Sequence, residues 1–219
     1  MNPKAVLIFA KHPVPGKAKT RMSPALSPEE AAELSHCFIR DTLRAARKVR
    51  DADCYLFYTP QNAGTFFRKI APKEWILIPQ EGENLTARCL HSVREAFNRG
   101  HSGVVQIGTD TPQIRPEDIE RGFDLLLEYD MGFGPTNDGG YYLLSLARPE
   151  TGIYDGVIMG SDTVFKKMME NARRLRLQVK ILPEWIDADT HEDLVALARR
   201  NEVFRLGPHT RAFLKNMDI

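Results

Sequence analysis

Four cations crowd one short loop near the amino terminus. Lys11, Lys17, Lys19 and Arg21 belong to the stretch KHPVPGKAKTR, which follows an apolar run over residues 4–10. A buried strand that ends abruptly in a basic Pro/Gly loop is how α/β proteins hold phosphates. Pro13 and Pro15 shape the loop, and Gly16 allows a turn that brings backbone N–H groups close to a phosphate. Lys17, Lys19 and Arg21 would supply charge, and the Arg21 guanidinium can grip two oxygens at once. Neither GxxxxGK[ST] nor GxGxxG is present, so this is not a Walker loop and an ordinary dinucleotide fold loses support.

A second centre follows the apolar run Val104-Val105-Gln106-Ile107. Gly108-Thr109-Asp110-Thr111-Pro112 would place Asp110 at a strand's carboxyl end, where a carboxylate can hold Mg²⁺ together with substrate phosphates. The alternative is a plain Asp turn before a proline. Asp187 and Asp189, at i and i+2, would point the same way on an extended segment, and one could be a second metal ligand. Equally, Asp189 with Glu192 has the spacing of a capping box for a last helix near Thr190. Asn137-Asp138-Gly139-Gly140 reads as a hairpin turn, with Asp138 or Tyr141 able to bind a substrate above it. Arg88 falls in the first turns of a helix, where the dipole gives a cation nothing. An anionic ligand or a plain salt bridge accounts for it. The six histidines show no HxH or HExxH spacing, and there is no GxSxG elbow, so neither a zinc site nor an α/β-hydrolase is indicated.

The elements that must carry these residues alternate. Strands are predicted at 4–10, 53–58, 75–78 and 104–107. Helices are predicted from a Ser27/Glu30 capping box to about Val49, near 62–71, from an Asn84 cap to Gly100, and from Pro116 with Ile119, Phe123 and Leu126/Leu127 inward. The stripe of the third helix is Leu85, Cys89, Val93 and Ala96/Phe97. The hairpin 131–134/141–146, a helix over about 161–175, a strand at 179–182 and the last helix complete the chain. This order implies a three-layer α/β/α architecture on a mainly parallel, mixed sheet, within a single domain spanning 1–219. Ligands then sit beyond the strands' carboxyl ends.

Composition narrows the partners. The chain has 219 residues, 42% of them apolar, and a formal net charge of +1. That is too little charge for a general nucleic-acid binder, so the basic loop is a local concentration suited to a small anion. Cys37, Cys54 and Cys89 are three, far apart and in no CxxC spacing, so they read as small buried hydrophobes in a reducing cytoplasm. The run over 5–10 is far too short to span a membrane. A homo-oligomer is compatible with the sequence.

Five blocks occur in order: FAKHPVPGKAKTRM, QEGENLTARCLHSV, VVQIGTDTPQI, GFGPTNDGGYYLLSL and WIDADTHEDL. Together they resemble a bacterial glycosyltransferase-like family, whose members are also described as transferases found near radical-SAM and selenium-associated genes or in arsenosugar biosynthesis. More distantly the chain is similar to the nucleotide-diphospho-sugar transferase superfamily with the GT-A fold, which includes the molybdenum-cofactor and 2-phospholactate guanylyltransferases. The resemblance implies a nucleotide under the first loop and Mg²⁺ (or Mn²⁺) on Asp110. It points to Lys11, Gly16, Lys17, Lys19, Arg21, Arg88, Asp110, Asp138, Gly139, Gly140 and Asp189 as site residues. Two departures stand out: the DxD of many glycosyltransferases is Thr109-Asp110-Thr111 here, and the LxGGxSxRMG loop of the guanylyltransferases is replaced by AKHPVPGKAKTRM.

Three functions follow. The first is glycosyl transfer from a nucleoside-diphospho-sugar to a small acceptor, with Asp110, Lys17 and Arg21 as the catalytic group. The second is nucleotidyl transfer from an NTP to a phosphorylated or carboxylated metabolite, which a loop with four cations suits. The third is a non-catalytic nucleotide-binding module, which would keep the loop and not need Asp110.

Overall fold

In the computed structural model, residues 2–199 and 206–217 are described. β1 (Lys4–Lys11) is central, and its side chains alternate between two cores. Val6 and Ile8 pack with Leu43, Phe67 and Phe123, whereas Ala5 and Leu7 pack with Val93, Phe133 and Met168. Both faces are therefore covered, which is why β1 reads as an unbroken apolar run. The sheet has seven strands in the order β3-β2-β1-β4-β6-β5-β7. The others are β2 (Ala52–Thr59), β3 (Ile76–Pro79), β4 (Gly103–Ile107), β5 (Met131–Pro135), β6 (Tyr141–Leu146) and β7 (Val179–Ile181). Among these, β6 runs antiparallel to both β4 and β5, and every other pairing is parallel. This is the mainly parallel, mixed sheet that the alternation implied.

The helices are α1 (Pro28–Ala46), α2 (Gly64–Ile70), α3 (Leu85–Asn98), α4 (Pro116–Asp124), α5 (Val164–Arg174), α6 (His191–Arg199) and α7 (Pro208–Asn216). The Ser27 hydroxyl accepts the Glu30 N–H and the Glu30 carboxylate accepts the Ser27 N–H, so α1 starts at the capping box. Asn84 caps α3 by accepting the Ala87 N–H. A third apolar cluster matters most for the site. Met22 and Leu26, just after the basic loop, pack with Leu34 and Phe38 of α1, Ala188, Leu194 and Leu197 near α6, and Phe213 and Leu214 of α7. Burial of each Leu, Met or Phe side chain in it is worth about 1.5–3 kcal/mol. The cluster thus fastens the cationic loop to the segment that carries Asp187 and Asp189.

Four expectations need correction. The helix near Thr190 is not the last, because α7 follows it. α6 is capped by Thr190 and not by Asp189. The Thr190 hydroxyl accepts the Asp193 N–H, and Asp193 accepts the Thr190 N–H. Leu127 is 87% exposed, because α4 ends at Asp124 and tightens into a 3-10 turn that rotates the residue outward. Leu85 belongs to no inner stripe. It is 43% exposed at the first position of α3, facing the cleft described next.

Candidate active site

β1 and β4 are neighbours, but the chain leaves β1 towards β2 on one side and returns to β4 on the other. A crevice opens at the carboxyl ends of such a switch point. Here it is a cleft of about 590 Å³, within the usual range of small-molecule sites. Lys11 enters it at the end of β1, Lys17 and Lys19 from the loop that follows, Thr109 and Asp110 after β4, and Asp187 and Asp189 from the segment before α6.

Lys19 is the hub. Its ammonium lies 2.5 Å from Asp110 Oδ1 and 2.7 Å from Asp189 Oδ1, and its side chain is only 4% exposed. The backbone at Lys19 is left-handed, with φ of 47°, a strained conformation outside glycine. The ammonium also lies 5.5 Å from the centroid of the Phe38 ring. Burial alone would lower the pKa of this ammonium, but Asp110, Asp187 and Asp189 more than reverse that and raise it. Arg21 Nη1 is 3.6 Å from Asp189 Oδ2 at the rim.

The acids are placed by backbone geometry. The Ala188 N–H donates to the Asp110 carbonyl at 3.0 Å, and Ala188 is fully buried. The residues on either side, Asp187 and Asp189, therefore reach toward Asp110. One oxygen from each of the three carboxylates lies within 4.8 Å of the other two. Burial and the neighbouring Asp110 charge push the Asp187 carboxyl well above the usual carboxylate range, with Asp189 and Asp138 adding to the effect against Lys19. Asp189 goes the other way. Burial would raise it, but Lys19 and then Arg21 hold it below its ordinary value.

This donor set fits a hard divalent cation. Mg²⁺ takes oxygens at about 2.1 Å, so opposite ligands lie about 4.2 Å apart. Neighbouring ligands in such a shell lie about 3.0 Å apart, so three oxygens within 4.8 Å of one another draw inward as they close on one ion. Oxygen-only ligands suit Mg²⁺ or Mn²⁺ and disfavour zinc. Thr111 Oγ1, in the cleft wall beside Asp110, is buried and has no hydrogen-bond partner among the described residues.

The stored repulsion has a measurable consequence. A carboxyl whose folded pKa is raised contributes stability fully below its unfolded value of about 4, and loses it as pH rises through the folded value. Asp187→Asn removes that loss. The metal-free variant should melt at a higher temperature than wild type near pH 7. The gap should close as pH falls toward 4. Equal melting temperatures at neutral pH would show that Asp187 is not strained by its neighbours.

The remaining candidates divide. Lys11, Lys17, Arg88, Asp138, Gly140 and Tyr141 line the cleft, whereas Gly16, Arg21 and Gly139 do not. Gly16 does have a φ of +72°, but the Lys17 and Ala18 N–H groups both donate to the Val14 carbonyl and are spent inside the turn. The Lys11 ammonium donates to the Lys17 carbonyl at 2.7 Å and braces the loop. Arg88 makes no salt bridge among the described residues, and its Nε donates to the Gly82 carbonyl. Asp138 accepts from the Thr136 hydroxyl and the Gly140 N–H, as the hairpin turn requires. Gly139, at φ +85°, is pressed against the Asp162 backbone, where a Cβ would collide.

Sequence reasoning missed Gln106. It is buried on β4, accepts the Tyr141 hydroxyl at 2.5 Å and the Tyr154 hydroxyl at 3.3 Å, and donates to Ser92 Oγ at 2.9 Å. One amide inside an otherwise apolar strand was the available signal, since buried polar groups are held in networks. The Tyr141 hydroxyl is thus committed to the protein. Tyr141→Phe should cost about 1–2 kcal/mol in urea unfolding and leave nucleotide binding intact. A loss of binding without a loss of stability would instead put the hydroxyl on the ligand.

Comparison with known proteins places this architecture. A family model described as "Uncharacterized protein conserved in bacteria (DUF2064)" matches residues 42–161. The chain belongs to that family. It is 34% identical to a candidate nucleotide-diphospho-sugar transferase from Desulfovibrio desulfuricans G20, whose crystal structure superposes with a TM-score of 0.91 over 100% of this chain and 96% of that one. It is 24% identical to the 2-phospho-L-lactate guanylyltransferase of Methanothermobacter thermautotrophicus over 91% of this chain and 85% of the relative. The manganese complex of Rv0371C from Mycobacterium tuberculosis H37Rv shares the fold at 19% identity, with a TM-score of 0.53 over 91% of this chain and 99% of that one. On these matches the protein is an enzyme of the transferase class. No helix among the described residues is long and apolar enough to cross a membrane.

Proposed function

We propose that this protein is a divalent-metal-dependent nucleotidyltransferase that moves NMP from an NTP to a small phosphorylated or carboxylated acceptor. The observation that carries the reading is the meeting, in one cleft, of the cation-rich loop after β1 with the carboxylates of Asp110, Asp187 and Asp189. A triphosphate has the charge to use both. The guanylyltransferase relatives, aligned over most of the chain, support the same choice.

Asp110, Asp187 and Asp189 would hold Mg²⁺ or Mn²⁺, which neutralises phosphate charge and eases departure of the leaving group. Lys17, exposed on the cleft side of its loop, is free to meet the outer phosphates. Arg88 offers a guanidinium to the acceptor's carboxylate or phosphate. An acceptor oxygen attacks the α-phosphorus, a new O–P bond forms, the bond to the β-phosphate oxygen breaks, and pyrophosphate leaves. No enzyme nucleophile is needed. Cys89 lines the cleft, but burial pushes its thiol up to about 12, so it stays protonated near neutrality. Catalysis is then positioning and charge stabilisation.

One observation favours the glycosyl alternative: the Desulfovibrio neighbour is named for nucleotide-diphospho-sugar transfer. A ³¹P NMR screen of the four NTPs and of UDP- and GDP-sugars, with Mn²⁺ or Mg²⁺ and mixed phosphorylated and carboxylated acceptors, separates the two. Pyrophosphate from an NTP is the expected product. Nucleoside diphosphate from a nucleotide sugar, with inert NTPs, would overturn the reading in favour of glycosyl transfer.

A further inference from the structure

We propose that Lys19 is a resident counter-ion that occupies the divalent-cation position among the three aspartates until a nucleotide arrives, so that metal enters with the nucleotide and not ahead of it. The inference rests on the nucleotidyltransferase reading above and concerns the order in which its site fills.

The argument is one of shared oxygens. The Lys19 ammonium sits 2.5 Å from Asp110 Oδ1 and 2.7 Å from Asp189 Oδ1. A Mg²⁺ or Mn²⁺ ion ligated by the same two oxygens would lie about 2.1 Å from each. Two cations cannot sit that close to the same pair of atoms. Two cations sharing these oxygens would sit within a few ångströms of one another in a site shielded from water, where like charges repel strongly. One must leave for the other to enter. Lys19 is well anchored against leaving, because its side chain is almost wholly buried and its ammonium lies over the Phe38 ring. Metal alone therefore competes with a tethered ion whose effective concentration is high. A triphosphate changes the balance. Its oxygens would lie in the cleft that Lys19 already lines, and a lysine on a flexible four-carbon stem can swing its point charge from carboxylate to phosphate. Displaced from the acids, the ammonium then adds to the charge facing the phosphates. Metal and nucleotide binding become mutually favourable, and linkage makes the coupling reciprocal.

The test is a Mn²⁺ titration of the full chain by equilibrium dialysis, without and with inorganic triphosphate, in which the excess of ion on the protein side is counted as bound. Triphosphate is the probe because it carries the charge without committing to a base. Lys19→Met should bind Mn²⁺ alone about tenfold or more tighter than wild type, as removal of one opposing charge from a partly desolvated site implies. The enhancement that triphosphate gives in wild type should shrink in this variant. Lys19→Gln, which is polar, should behave as Lys19→Met does, and guards against a folding failure of the apolar variant. Lys19→Arg keeps the charge and should bind Mn²⁺ as weakly as wild type. Mn²⁺ affinity that is unchanged or weakened in both neutral variants would overturn the proposal. That outcome is distinct from failure of the functional reading, in which wild type binds no Mn²⁺ even with triphosphate, or Asp110→Asn binds it as well as wild type does.

Discussion

Asp110→Asn is expected to lower kcat by about 10² or more, the usual cost of removing a preorganised charge-stabilising group, while leaving the fold intact. The side chain of Asp110 is 46% exposed and ion-pairs with Lys19, so it contributes little to the core. Its carbonyl, which receives the Ala188 N–H and so aligns the acidic segment, is untouched by the change. The asparagine keeps the shape and loses one negative charge from the set of three. Metal and phosphate should bind less well and the transition state should lose most. Steady-state kinetics beside a thermal melt separates the effects. A large fall in kcat with an unchanged melting temperature supports the site. Near-wild-type turnover would return the protein to the class of nucleotide-binding modules.

Asp41→Ala should destabilise the protein by about 3 kcal/mol, the cost of leaving buried donors without a charged acceptor. Asp41 lies within α1, is 4% exposed, and accepts the His209 N–H, the Thr210 N–H and the Thr210 hydroxyl at 3.1, 2.8 and 2.8 Å. It therefore caps α7 from another helix, because Gly207, in the capping position, has no side chain to do so. Gly207 also lies so close to the Asp41 carboxylate that a Cβ would collide with it. Removal of the carboxylate leaves three donors without their acceptor and a helix start without its favourable charge. For about 200 residues this corresponds to a melting temperature lower by about 6–12 °C. A denaturant curve within about 1 kcal/mol of wild type would show that α7 is held by its apolar face alone.

These two aspartates mark what a sequence can reveal. Asp110 was legible because the chemistry is local: an apolar run, a glycine, an acid and a proline place it at a strand end. The basic loop and the Asn137–Gly140 hairpin were readable for the same reason. Asp41 was not legible, because its partners are 168 and 169 residues away. The start of α6 shows the limit at one-residue resolution. Asp189 with Glu192 and Thr190 with Asp193 both have capping spacing. The second is realised because Lys19, from across the cleft, draws the Asp189 side chain away from the helix end. Within the loop, four cations looked alike in one dimension. The left-handed backbone at Lys19 and the packing around Phe38 make one of them buried and leave Lys17 exposed. Gln106 carried a signal, but not the identity of the tyrosines it gathers.

Anomalous diffraction from crystals grown with Mn²⁺ and a non-hydrolysable NTP tests the central claim most directly. The expected map has a manganese peak bound by Asp110 with Asp187 or Asp189 and by phosphate oxygens, with Lys17 and Lys19 facing the triphosphate. Manganese or nucleotide bound away from these aspartates would contradict it.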